Sequence, residues 1–167
     1  MSRKEFQAFD LDVQEMGDYQ YTTGARDSAV MANARISNLT IDALQRNGLK
    51  LLVVGCGDGE YTFALYRRRN PSEITGIDLS PAAIAAATEK IPNEATTFAV
   101  CSGSLLPFPD DSFDVVHMRG VLHHMENPMR ALAEAFRVAQ RVFVVEPNGW
   151  NRGLKCIEIL STYHAKA

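Results

Sequence analysis

Three glycines at alternate positions, Gly55, Gly57 and Gly59, follow a run of four apolar residues in the stretch LLVVGCGDGEYT. An acid, Asp78, comes 23 positions after the first of them (78 minus 55). Glycine loses more freedom on ordering than any other residue, so a backbone this rich in it calls for unusual angles or a close visitor. A glycine turn after a buried strand, with a carboxylate ending the next strand, suits a nucleotide whose ribose hydroxyls donate to the acid. A tight strand-to-helix turn with no ligand also accounts for the glycines. The spacing narrows the choice of visitor. A dinucleotide fingerprint requires glycine at position 60, where this chain has Glu60, and the third glycine comes one residue early at Gly59. That disfavours a nicotinamide dinucleotide, whose pyrophosphate rests on the helix N-terminus. Asp78 has a second reading as the cap of the following helix, weakened by Ser80 before Pro81, which already serves that purpose.

Candidates for proton transfer stand farther along. His123 and His124 follow a predicted fourth strand on the ligand side, and imidazole takes up a proton near neutral pH. Each could instead hydrogen-bond within its loop. No third ligand sits at metal spacing, so no metal site is expected. His117, inside the strand, reads as structural. Glu146, at the end of the fifth predicted strand, either orients a substrate amine or caps the next element. Asn33 and Arg35 line a lid or a solvated helix face. The run Arg67, Arg68 and Arg69 marks a helix C-terminus, where cations suit the dipole.

These residues are positioned by an alternation of strands and helices. A helix is predicted over 28–47, then strands over 49–54, 73–77, 96–101, 113–117 and 141–146. Helices fall between them over 60–69, 80–90 and 128–138, and a last helix runs from Trp150 to about His164. Parallel strands joined by helices form a doubly wound, mostly parallel Rossmann-like α/β sheet with helices on both faces. The division expected is an N-terminal helical lid segment, 1–47, and one compact domain, 48–167.

Composition excludes several classes. The 167 residues suit a single core, and 17 basic against 20 acidic side chains, a net charge of −3, give no grip on nucleic acid. No apolar run approaches a membrane span and the N-terminus lacks the apolar core of a signal peptide. The three cysteines, Cys56, Cys101 and Cys156, are odd in number and dispersed, which fits neither a disulfide framework nor a zinc site. A reducing cytoplasm is the expected location.

LLVVGCGDG, GIDLS, LPFPDDSFDVV and VLHHMENPMRALAEAFRV, in that order across about residues 15 to 148, resemble the motifs of class I S-adenosylmethionine-dependent methyltransferases of the small type 11 kind. The resemblance implies S-adenosyl-L-methionine as methyl donor, S-adenosyl-L-homocysteine as product and a small-molecule acceptor. It implies that Gly55, Cys56 and Gly57, with Gly59 completing the turn, pack against the methionine part. Asp78 would hold the ribose, with Leu79, Ser104 and Leu105 around the adenine. Arg119 and Gly120 would approach the methionine end through their backbone, and Tyr21 with Arg26 would close over the cofactor. The acceptor is expected between the N-terminal helix and the loop 119–125, and His124, with His123 second, is the base expected from the residues themselves. Ser102 and Gly103 replace the acid such proteins often carry for the adenine amine, and a hydroxyl accepts more weakly than a carboxylate. The family's last two strands of seven are not apparent after the fifth, whose apolar edge would need a terminal helix, a second copy of the chain or a further segment to cover it. A chain that binds the cofactor without transferring methyl, or needs a partner to do so, is the alternative function; a nicotinamide-dependent reductase is a more distant one.

Overall fold

Leu51, Leu52, Val53 and Val54 are each at most 3% exposed, the fate of a continuous apolar run when both faces of its sheet are covered. In the computed structural model, which describes residues 27–44, 46–91 and 94–146, that run is the centre of a five-stranded parallel sheet. The elements in chain order are α1 (Asp27–Leu44), β1 (Lys50–Val54), α2 (Glu60–Arg69), β2 (Glu73–Asp78), α3 (Pro81–Lys90), β3 (Thr96–Val100), β4 (Phe113–Arg119), a short 3-10 turn (Leu122–His124), α4 (Pro128–Val138) and β5 (Ala139–Val145). Strand order is β3-β2-β1-β4-β5, with Leu51 paired to Ile74 on one side and Val115 on the other. The terminal helix expected from Trp150 lies outside the described residues.

The alternation of side chains along β1 splits the core in two. Leu52 and Val54 join Val116 and Met118 under Ala131, Ala135 and Val138 of α4. Leu51 and Val53 face the other way, with Ile74 and Val115, against Ile41 and Leu44 of α1 and Leu65 of α2. Local chemistry sets the helix ends. The Ser80 side chain accepts from Ala83 N, Pro81 opens α3, and Asn127 accepts from Arg130 N before Pro128. The arginine run does end α2, and it also fastens that helix to α1: Arg69 Nε donates to Ile41 O at 2.6 Å and Arg68 bonds Asn38.

The first helix ends at Leu44, three residues short of the sequence reading, and two strand boundaries differ from it by two residues. β4 runs two residues past His117 to Arg119, because β5 pairs with it as far as Val145. β5 begins at Ala139, directly on the end of α4: Ala139 is extended at φ −147°, so the chain leaves the helix with no turn residue.

Candidate functional site

The strand order reverses between β1 and β4, and open parallel sheets leave a crevice beyond the strand ends at such a point. The glycine turn leaves β1 there. Gly55 N and Cys56 N both donate to Ile77 O, at 2.8 and 3.0 Å, and Gly57 N donates to Asp78 Oδ2 at 3.0 Å. Gly55 is left-handed at φ +71°, and a Cβ on it would stand 2.5 Å from Val121 Cγ2. The first glycine therefore admits the loop after β4. Gly59 also serves a neighbouring helix: a Cβ there would meet Ala87 of α3 at 3.0 Å, so this glycine lets two helices approach. Asp58, 2% exposed, accepts from Glu60 N and from Lys90 Nζ, both at 3.2 Å. Burial works to lower the Lys90 pKa, but Asp58 and Glu60 outweigh it and hold the ammonium above its ordinary range. Burial, aided by the nearby Asp78 charge, pushes the Cys56 thiol well up, which makes it a packing group.

Asp78 ends β2 with both carboxylate oxygens engaged by backbone: Oδ1 accepts from Ser80 N at 2.9 Å and Oδ2 from Gly57 N. Burial raises its pKa, against the opposing N–H groups of Ser80, Gly57 and Leu79. Each oxygen keeps a further lone pair, and two adjacent acceptors of fixed orientation match a pair of vicinal hydroxyls. Around this strand end, Leu79, Val100 and Leu105 leave large apolar side chains 40%, 54% and 67% exposed, a flank suited to a flat ring. The Ser102 hydroxyl accepts from Ser104 N at 3.2 Å, and Gly103 is buried where a Cβ would stand 2.6 Å from Val54 Cγ1. Arg137 pins the following loop by donating to Leu106 O and Phe108 O, while Glu134 accepts from Leu106 N. The Arg137 hydrogen bond holds the Glu134 carboxyl at about 2.

β4 delivers the other wall. The Arg119 guanidinium lies 3.6 Å over the Tyr61 ring and donates to Ser37 Oγ at 2.7 Å and to Asn33 O and Oδ1 at 3.2 and 3.1 Å. Below it is a cavity of about 10 Å³ lined by Ser37, Thr40, Tyr61 and His117 among others. His117 is 4% exposed, neither ring nitrogen meets a described partner, and burial together with the Arg119 charge lowers its pKa to about 4. Gly120, left-handed at φ +62°, has open space where its Cβ would be. Val121 N and Leu122 N both donate to Glu146 Oε1 at 2.9 Å, and His123 Nδ1 lies 2.6 Å from Glu146 Oε2. The His124 ring packs on His123 with centroids 3.8 Å apart.

The expected residues at 55–57, 78–79, 102–105 and 119–124 stand at the carboxyl ends of the strands. Tyr21 and Arg26 lie outside the described residues. The grip of the Arg119 side chain on α1 was missed, since only its backbone role was read; an arginine closing a buried strand is the signal that points to it. Glu146 caps the 3-10 turn behind it in the chain. Among the described residues no three His, Cys, Asp or Glu side chains gather as metal ligands.

Residues 52–142 match the family described as Methyltransferase domain. A rice protein (Oryza sativa subsp. japonica) named 2-methyl-6-phytyl-1,4-hydroquinone methyltransferase 2, chloroplastic, is 33% identical over 90 residues, covering 54% of this chain and 26% of the relative. The crystal structure of the cyclase SpnF superposes with a TM-score of 0.70 at 27% identity, over 87% of this chain and 56% of that one. An S-adenosylmethionine dependent methyltransferase from Mesorhizobium loti superposes at 0.54 and 25% identity, over 66% of this chain and 48% of that one. The chain thus spans about half the length, or less, of the proteins it resembles.

Proposed function

We propose, for a chain that belongs to the Methyltransferase domain family, that it binds S-adenosylmethionine on the glycine turn and transfers methyl to a small-molecule acceptor. The observation that carries the reading is Asp78. Its two oxygens are aimed by Ser80 N and Gly57 N so that their remaining lone pairs can take the two ribose hydroxyls. Gly55, Cys56 and Gly57 would line the methionine part, Leu79 and Leu105 the adenine, and Ser102 and Gly103 the turn beneath it. The backbone of Arg119 and Gly120 would close the methionine end. The open space at Gly120 suits that task.

S-adenosylmethionine supplies an activated methyl group on a sulfonium. The chain's part is to align the acceptor, and holding two reactants in register can lower a barrier by roughly 7 to 11 kcal/mol. The acceptor would lie between α1, which Arg119 ties to the strand ends, and the loop 119–125. In this arrangement residues 1–47 act as a lid over a cofactor-binding unit formed by 48–167. The rice relative is named for a hydroquinone, which supports a small aromatic acceptor. No described helix is long and apolar enough to cross a membrane, and the free Cys56 and Cys101 suit a reducing cytoplasm.

A second reading, cofactor binding without methyl transfer, draws support from the likeness to SpnF, a cyclase on the same architecture. The test is transfer of an isotope-labelled methyl group from S-adenosylmethionine to a panel of small phenols and amines by the full chain. The proposal expects label in an acceptor with equimolar S-adenosylhomocysteine. Cofactor binding without labelled product would favour the second reading.

A further inference from the structure

Glu146 is held more firmly than a surface carboxylate at a strand end usually is. One oxygen, Oε1, accepts two backbone N–H groups, from Val121 and Leu122, both at 2.9 Å. Those bonds join the end of β5 to the loop leaving β4, and they fix the direction of the second oxygen. Oε2 then lies 2.6 Å from His123 Nδ1. A carboxylate accepts and cannot donate, so the short contact requires a proton on Nδ1. In a neutral imidazole that leaves Nε2 as the bare, proton-accepting nitrogen. The His123 side chain is 44% exposed and no described residue bonds its Nε2. His124 packs against one side of the ring and limits its rotation. A carboxylate fixed by backbone, and a partly exposed imidazole oriented by that carboxylate with Nε2 left to accept, form the chain of supports that general-base catalysis needs.

From this geometry we infer that His123 is the general base of the methyl transfer proposed above, that Glu146 is its positioning residue, and that the acceptor presents a weakly acidic hydroxyl. This reverses the order in which the sequence ranks the two histidines. The inference rests on that reading for the donor. In the step, His123 Nε2 takes the hydroxyl proton while the acceptor oxygen bonds the methyl carbon. The carbon–sulfur bond breaks with its electron pair on sulfur, so the sulfonium becomes a neutral thioether. The imidazolium formed is stabilised by Glu146 and afterwards returns its proton to water.

The decisive comparison is Glu146→Gln. Glutamine keeps a carbonyl oxygen for the two backbone donors, so the loop stays capped, but it turns an N–H toward the ring. Nδ1 must then accept, and the proton moves to Nε2. Nitrogen-15 spectra of the histidines in the full chain, with His123→Gln to assign the resonance, read the tautomer without any turnover. The expected result is Nδ1–H in the parent protein and Nε2–H in Glu146→Gln. Turnover is then followed on phenol and on p-nitrophenol, which is far more ionised than phenol at neutral pH and needs little help from a base. Both His123→Gln and Glu146→Gln should lose at least tenfold in kcat on phenol while p-nitrophenol changes less than threefold. An Nε2–H tautomer in the parent, or an equal loss on both acceptors, would overturn the inference. So would no turnover of either phenol by a protein that binds S-adenosylhomocysteine. A parent protein that shows the Nδ1–H tautomer but binds no S-adenosylhomocysteine would instead overturn the donor assignment.

Discussion

Gly55 and Gly120 share a left-handed backbone but differ in surroundings, and the difference can be measured. A left-handed angle costs an ordinary L-residue about 1 to 2 kcal/mol. Gly120→Ala should lose about that much, since nothing lies within 4 Å of the new methyl. Gly55→Ala should lose at least about 1 kcal/mol more, the range of an overpacked core, because Val121 Cβ would stand 2.8 Å away and rotation cannot move a branch point. Urea denaturation of the two variants checks the ranking, and equal losses would contradict the packing assigned to Gly55. His117 makes a second prediction. Its folded pKa, about 4, is below the unfolded value near 6.5, so the unfolded chain binds the proton first as pH falls. The neutral histidine's contribution is complete above pH 6.5 and is lost from there down to pH 4, by about 3 kcal/mol at one pKa unit per 1.36 kcal/mol. Arg119 is the charged group facing it. His117→Leu should flatten the stability profile across that window relative to the parent. An unchanged slope would mean that the ring is not buried neutral.

α1 is the element whose position matters most to access. Arg119 ties it to the sheet end, reaching Ser37 and Asn33 while resting on Tyr61. Arg119→Met keeps the stem and removes these donors. Hydrogen exchange across Asp27–Leu44 should then quicken by at least tenfold, while exchange in Lys50–Val54 stays near the parent rate. Unchanged exchange in Asp27–Leu44 would show that its apolar face and the α2 arginines hold α1 without Arg119. The elements themselves were legible because their signals are local: Ser80 before Pro81, Asn127 before Pro128, apolar strands of the right length and glycines at a strand end. What was not legible depends on contacts across 23 to 86 positions of sequence, such as Glu146 with His123 or Arg119 with Asn33. No periodicity announces such a pair. The start of β5 was misplaced for a related reason, since its first residue is set by pairing with Phe113 and not by a turn.

At the scale of the whole molecule, a five-stranded parallel sheet brings three loops from distant parts of the chain to one edge. The glycine turn follows β1, Asp78 ends β2, and the loop with both histidines follows β4. This convergence is what turns modest motifs into one site, and it explains why the order of motifs along the chain was more informative than any one of them. The proposed function turns on Asp78 holding the adenosyl group, and calorimetric titration of the full chain with S-adenosylhomocysteine tests that hold. The prediction is saturable heat at one site per chain, none with NADH, and at least a tenfold weaker affinity in Asp78→Ala. A folded protein that gives no heat with S-adenosylhomocysteine, or an Asp78→Ala variant that binds it as well as the parent, would contradict the account.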